Sequence, residues 1–249
     1  MNPTSVEKMF NRVKKDLRDL FDDGTTNVIR EAVGLVNSSY KRYNQGKQST
    51  WGYTIYPDRP MKFRTSQRPT QDNHVDLYCE FQWGDNELPV SQDIKIRVWG
   101  LHDALIFREG LDALKIQEAL TDPERSIKGR VISRYHFDRV YREGSGKVSP
   151  EYHPKYHLQI GGKSLPAELC WHPETFDIPR IPHHPMDLFL ACQLIAINFF
   201  PDHYKNIQKE SEWHAQVANT QRTLLEEYYK NFLECIRNGD SLMDMLREP

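Results

Sequence analysis

The spacing of hydrophobic residues changes twice along this chain, and that succession limits the fold more than any single motif does. Val6, Met9, Phe10, Val13, Leu17, Leu20 and Phe21 recur three or four apart, which predicts an amphipathic helix over residues 4–22. Asp22, Asp23 and Gly24 close it. Thr25 or Thr26 then caps a second helix with the stripe Ile29, Ala32, Val33, Val36, Tyr40 and Tyr43. The short loop predicts a helical hairpin over residues 1–45. From Trp51 the character is that of strands: Trp51–Tyr56, His74–Trp83 and Asp93–Trp99, the last alternating Ile94, Ile96 and Val98 with Lys95 and Arg97. PDRPMKFRTSQRPT reads as an irregular basic linker, Leu111–Leu120 as a short helix, and Arg130–Tyr141 with Lys155–Ile160 as a further hairpin. Helical spacing returns over residues 185–237. Met186–Phe200 is apolar on nearly all sides and is expected to be the buried helix. Residues 203–237 then predict one helix or two, about 52 Å if continuous. Helices, then strands (residues 51–162), then helices argue for an α+β fold over residues 1–249 as one domain, with a largely antiparallel sheet of about five or six strands.

Composition excludes several classes. Hydrophobic residues make up 38% of the 249 and charged residues 27%, which is neither a collagenous nor a disordered chain. The longest apolar run, Leu188–Phe200, falls short of the roughly 20 residues that a membrane span needs. The first residues lack the apolar core of a secretory signal, so no leader and no membrane association are expected. Cys79, Cys170, Cys192 and Cys235 lie far apart, which points to free thiols in a reducing, cytoplasmic compartment.

The net charge of −2 hides a segregation. Residues 40–70 carry seven cations against Asp58 alone, residues 71–124 twelve acids against four cations, and residues 125–163 nine cations against three acids. Two basic blocks suit an anionic partner if the fold brings them onto one face; otherwise acidic and basic blocks pair internally. In the first block Lys41, Arg42, Arg59, Lys62 and Arg64 interleave with Tyr53 and Tyr56. Cations beside aromatic platforms are what a nucleic-acid strand requires, although the same aromatics would also serve as strand core.

Histidines gather between residues 153 and 184. His157, His172 and His183 or His184 form a candidate zinc or manganese site, against the plainer reading that they stitch the proline-rich segment to the sheet. Pro182-His183-His184-Pro185 opens the buried helix, where free backbone N–H groups and Arg180 could attract an anion. Asp76 on one strand and Asp93-Ile94-Lys95 on the next follow the order acid, hairpin, acid-x-lysine. That order resembles the core of the restriction-endonuclease-like nucleases. The resemblance implies that Asp76 and Asp93 ligate Mg²⁺, that Lys95 polarises the attacking water, and that Glu31 supplies a third acid.

Three functional expectations result. The leading one is an intracellular binding protein that engages nucleic acid or another polyanion through the basic-aromatic face, as one part of a multi-protein system. The second is a metal-dependent nuclease, with Mg²⁺ as its cofactor. The third is an interaction protein whose C-terminal helix, near Leu224, Tyr228 and Phe232, pairs with a second copy or another chain.

Overall fold

The computed structural model describes residues 1–64, 74–85, 88–100, 130–139, 156–160 and 181–239. Helix α1 spans Pro3–Asp16; the Asn2 side chain accepts from the Ser5 N–H at 2.9 Å, and Pro3 occupies the first turn. It ends earlier than the hydrophobic stripe does: Leu17 is buried at the end of α1, and Leu20 from a tighter turn at Arg18–Leu20. Helix α2 spans Thr25–Asn44. Its start is held by Asp22, which accepts from the Thr25 N–H at 2.9 Å and the Thr25 hydroxyl at 2.6 Å, so the acid rather than the threonine closes this end. Thr25 Oγ instead accepts from the Lys62 N–H at 2.9 Å and ties the helix to the sheet.

Strands β1 (Trp51–Ile55), β2 (Met61–Arg64), β3 (His74–Trp83), β4 (Ser91–Gly100), β5 (Arg130–Arg139), β6 (Tyr156–Ile160) and the two-residue β7 (Ile181–Pro182) form one antiparallel sheet in the order β1-β3-β4-β5-β6-β7. Strand β2, inside the stretch expected to be an irregular linker, also pairs with β3. Ile55 faces Cys79 and Met61 faces Leu77, so β1 and β2 are two halves of one edge strand, interrupted at residues 56–60 opposite Tyr78. Gly52 is obligatory here: a Cβ would stand 1.9 Å from the Phe81 carbonyl oxygen.

Alternation gives the sheet two unlike faces. The inner face carries Trp51, Tyr53, Ile55, Met61, Phe63, Val75, Leu77, Phe81, Trp83, Ile94, Ile96 and Phe137, all buried. With Val6, Phe10, Val13, Ile29 and Val36 of α1 and α2, they belong to one hydrophobic cluster. The cluster continues into α3 (Leu188–Phe199) through Leu188, Phe189, Cys192 and Ile195. Asp187 caps α3 by accepting from the Leu190 N–H at 2.8 Å, so the helix starts two residues later than expected.

The predicted C-terminal helix is broken. Helix α4 covers Pro201–Ile207, and α5 starts only at Ser211. From there α5 (Ser211–Gln221), a wider turn at Arg222–Glu226 and α6 (Glu227–Asn238) run on as one helical stretch of about 42 Å. The expected helix at residues 111–120 lies outside the described residues. No helix among the described residues is long and apolar enough to cross a membrane.

Candidate functional site

The outer face of the sheet is where the chemistry-bearing residues collect, and strand register sets them in rows. Lys62 is opposite Asp76, Asp76 opposite Arg97, and Arg97 opposite Arg134, one row across β2, β3, β4 and β5. Beside it, Arg64 faces His74 and His74 faces Trp99. On the other side Tyr78, Lys95, His136 and Gln159 form a row, and Glu80, Asp93, Asp138 and His157 another.

Asp76 has one network, and Asp93 and Asp138 share a second through His136. Asp76, 2% exposed, accepts from Arg97 Nη2 at 3.0 Å and Trp99 Nε1 at 2.8 Å, and His74 Nε2 stands 3.3 Å away. The His74 and Trp99 rings stack at 5.5 Å, and Arg97 lies 4.7 Å over the Tyr78 ring and 5.6 Å over Trp99. Asp93 accepts from Lys95 and from His136 Nε2 at 2.8 Å. Burial would raise its carboxyl, but these two hydrogen bonds hold it below the ordinary value. Asp138 is raised, first by burial and then by the Asp93 charge, although His136 opposes. Its Oδ2 lies 4.0 Å from both His136 Nε2 and His157 Nε2.

The structure does not assemble the acid pair of a nuclease. Asp93 and Lys95 touch, but Asp93 is opposite Glu80, four residues along β3 from Asp76. That offset is about 13 Å at ordinary strand rise, too far for two ligands of one ion. Glu31 sits on α2, 3.7 Å from Arg59. The histidine site is likewise divided. His157 faces Asp138 on the outer side, whereas His183 packs its ring 4.9 Å from Phe137 on the inner side. His172 and Arg180 lie outside the described residues. Among those described, no group of three or more His, Cys, Asp or Glu side chains is arranged to hold a metal ion.

The basic-aromatic tract divides too. Tyr53 is 3% exposed, with its ring 4.9 Å from Phe10, a core residue rather than a stacking platform. Lys41 and Arg42 end α2, whereas Lys62 is bonded to Thr25 at its start, about 25 Å away along the helix. Arg42 and the exposed Tyr56 instead line a separate polar groove of about 390 Å³ with Glu80 and Gln82. Lys62 and Arg64 join the outer face. Sequence reasoning missed His74, Tyr78, Arg97, Trp99, Arg134 and His136 there. The signal was present: on each strand they share the parity of Asp76, Asp93 and Lys95, or of the residues paired with them.

The inner side holds a second concavity. A cavity of about 630 Å³ lies between β4, β5 and β6 and helices α3 and α5, with His183 and His184 among its lining residues. Burial lowers both imidazoles, His184 to about 4, so both are neutral near pH 7. Compared with known proteins, the chain matches no family model, no curated protein and no solved structure.

Proposed function

We propose that this chain is a binding protein that holds a nucleic-acid strand or another polyanion against the outer face of its sheet. The observation that carries this reading is the row Lys62, Asp76, Arg97, Arg134, which draws cations from both basic blocks of the sequence onto one face of the sheet, with Arg134 buried, Lys62 half-buried and the neighbouring Arg64 exposed. The half-buried Tyr78 and Trp99 stand among these cations, each with Arg97 over its ring, an arrangement of aromatic and cationic groups that suits a nucleic-acid strand. Asp76 accepts from Arg97 and Trp99, which fixes the row and offsets the Arg97 charge, so Lys62 and Arg64 carry the outward positive charge. The free thiols Cys79 and Cys192 suit a reducing, cytoplasmic compartment.

The test is fluorescence anisotropy with a labelled 20-nucleotide oligo-dT, with heparin as competitor. Affinity falls steeply with salt, and Lys62→Ala with Arg64→Ala lowers the log–log salt slope by about 1.4 for a single strand. Arg59→Ala, a residue beside Glu31, leaves affinity within twofold. Absence of binding at low salt, or wild-type binding by the double variant, would overturn the proposal.

A second reading rests on α6. Its Leu224 neighbour in the wider turn is buried, and Tyr228 rests 5.7 Å from Tyr156, so two residues expected to meet a partner are packed within the chain. The next stripe, Tyr229, Leu233 and Ile236, is about half exposed. Glu227 opens this helix and Arg237 closes it. An antiparallel second copy would therefore set acid against base and oppose the two macrodipoles. Sedimentation should then show a dimer that Leu233→Lys dissociates; a wild-type monomer at 100 µM would end this reading.

A further inference from the structure

The inner cavity has a donor–acceptor pattern that selects what can enter it. Most of its wall is hydrocarbon: Ile96, Phe137, Leu158, Leu190, Leu194 and Leu225. Among the described residues no Lys, Arg, Asp or Glu lines it. A volume of about 630 Å³ falls in the range of small-molecule sites. On the wall of α3 facing it Leu190 is buried, Leu194 half-buried and Ile197 43% exposed, although this is the most apolar of the described helices.

Among the described residues Tyr135, His183, His184, Gln193, Asn198 and Gln221 supply the polar groups of the wall, and three of them show which acceptor they keep. His183 Nδ1 is 2.8 Å from the carbonyl oxygen of His184, which can only accept, so Nδ1 carries the proton and Nε2 of the neutral ring is an acceptor. Gln193 Nε2 donates to the Tyr204 hydroxyl at 3.1 Å, leaving its amide oxygen as an acceptor. Asn198 Nδ2 donates to the Leu194 carbonyl at 2.8 Å and leaves its own oxygen in the same way. Three lining side chains thus spend a donor hydrogen on the protein and keep an acceptor, and the two amides keep a second N–H beside it. A carboxylate or phosphate entering here would meet hydrocarbon and neutral polar groups, with no cation among the described residues to offset its desolvation.

We infer that this cavity binds a neutral, mostly hydrocarbon molecule bearing a hydroxyl or N–H donor at one end, the chemical class of a medium-chain alcohol. This site lies on the opposite side of the sheet from the polyanion face and is independent of it. The hydrocarbon part fills the wall formed by β4–β6 and α3, and the donor reaches the acceptors of His183, Gln193 and Asn198. The same pattern discriminates by charge rather than by chain length.

The experiment uses the full chain and N-phenyl-1-naphthylamine, a neutral apolar fluorophore with one N–H. Its emission should rise on binding, and 1-octanol should displace it at about one tenth of the concentration needed with octanoate or octylammonium. Leu194→Trp, which fills the cavity from a half-buried position, should weaken both the fluorophore and 1-octanol by about tenfold. Asn198 is exposed, so Asn198→Asp tests the chemistry without loading the fold. It should raise octylammonium at least to parity with 1-octanol. The inference is overturned by a fluorophore that does not brighten, by octanoate competing as well as 1-octanol, or by undiminished binding in a folded Leu194→Trp. Should that variant not fold, an unchanged order of competitors in Asn198→Asp decides against it.

Discussion

Asp187 shows how one side chain can hold a helix and cost the fold stability at the same pH. Its cap on α3 is well formed, yet the residue is 3% exposed and its carboxyl is pushed up to about 6, first by burial, with the N–H groups of Leu190 and Phe189 opposing. The native state binds the proton more tightly than the unfolded chain, so this residue's contribution falls as pH rises from about 4 through about 6, by about 3 kcal/mol. His184 has the opposite sign. Its folded value near 4 lies below the ordinary 6.5, so stability rises over nearly the same interval as the unfolded chain gives up its proton. The two slopes offset in the wild type. Asp187→Asn keeps a good capping acceptor and removes the charge. Relative to wild type it should therefore gain about 3 kcal/mol at pH 8 over its value at pH 4, measured by urea unfolding at both pH values. Parallel profiles for the two proteins would show that Asp187 does not titrate in this way.

At the scale of elements, legibility followed regularity. The alternation in Asp93–Trp99 read directly as β4, because one buried face imposes a period of two. Strand β2 did not, because four residues beside Pro60 and a basic run carry too little pattern; its identity comes from pairing with β3. The outer-face site was half legible. Asp93 and Lys95 were found from their order in the chain, whereas Arg97 and Trp99 gain meaning only when register sets them opposite Asp76 and His74. The helical stripe beyond Ser211 was legible, but not which part of it is covered. The wider turn at Arg222–Glu226 adds a residue to the repeat, and α6 has no buried residue although its sequence is amphipathic. Leu224→Ala should cost about 2–5 kcal/mol because Leu224 is 1% exposed. Leu233→Ala should stay within about 0.5 kcal/mol under conditions where the chain is monomeric. Equal losses in denaturant titration would mean that α6 is packed as deeply as the turn before it.

For the molecule as a whole, the sheet divides two kinds of work. Its inner face builds the hydrophobic cluster with α1, α2 and α3, and its outer face is left for charge. The two ends of the described chain are tied on the helical side. His203 Nε2 donates to the Asp16 carbonyl at 3.0 Å, and Glu212 accepts from Arg12 and from Lys15, the latter at 3.1 Å. These contacts orient α1 against α4 and α5, while burial of Phe10, Phe189 and Trp213 supplies the larger stabilisation.

The interruption between β1 and β2 bears on what this protein does at high concentration. A long unbroken edge offers its unpaired backbone groups to any neighbouring chain and so seeds aggregation. Here residues 56–60 loop out between Ile55 and Met61, and on β2 the Lys62 N–H and carbonyl are already bonded to Thr25 and Asp22, so an incoming strand finds at most the five residues of β1. Deletion of Pro57, Asp58, Arg59 and Pro60 would set Tyr56 opposite Tyr78 and join the halves in perfect register, with Ile55 still on Cys79 and Met61 still on Leu77. The shortened protein should keep its fold and lose the part of its protection that the loop supplies, while Asp22 and Thr25 still cover β2. Thioflavin T fluorescence and turbidity at 37 °C should rise earlier and further than in the full-length chain. Equal lag times would mean that the loop has no part in keeping the edge silent.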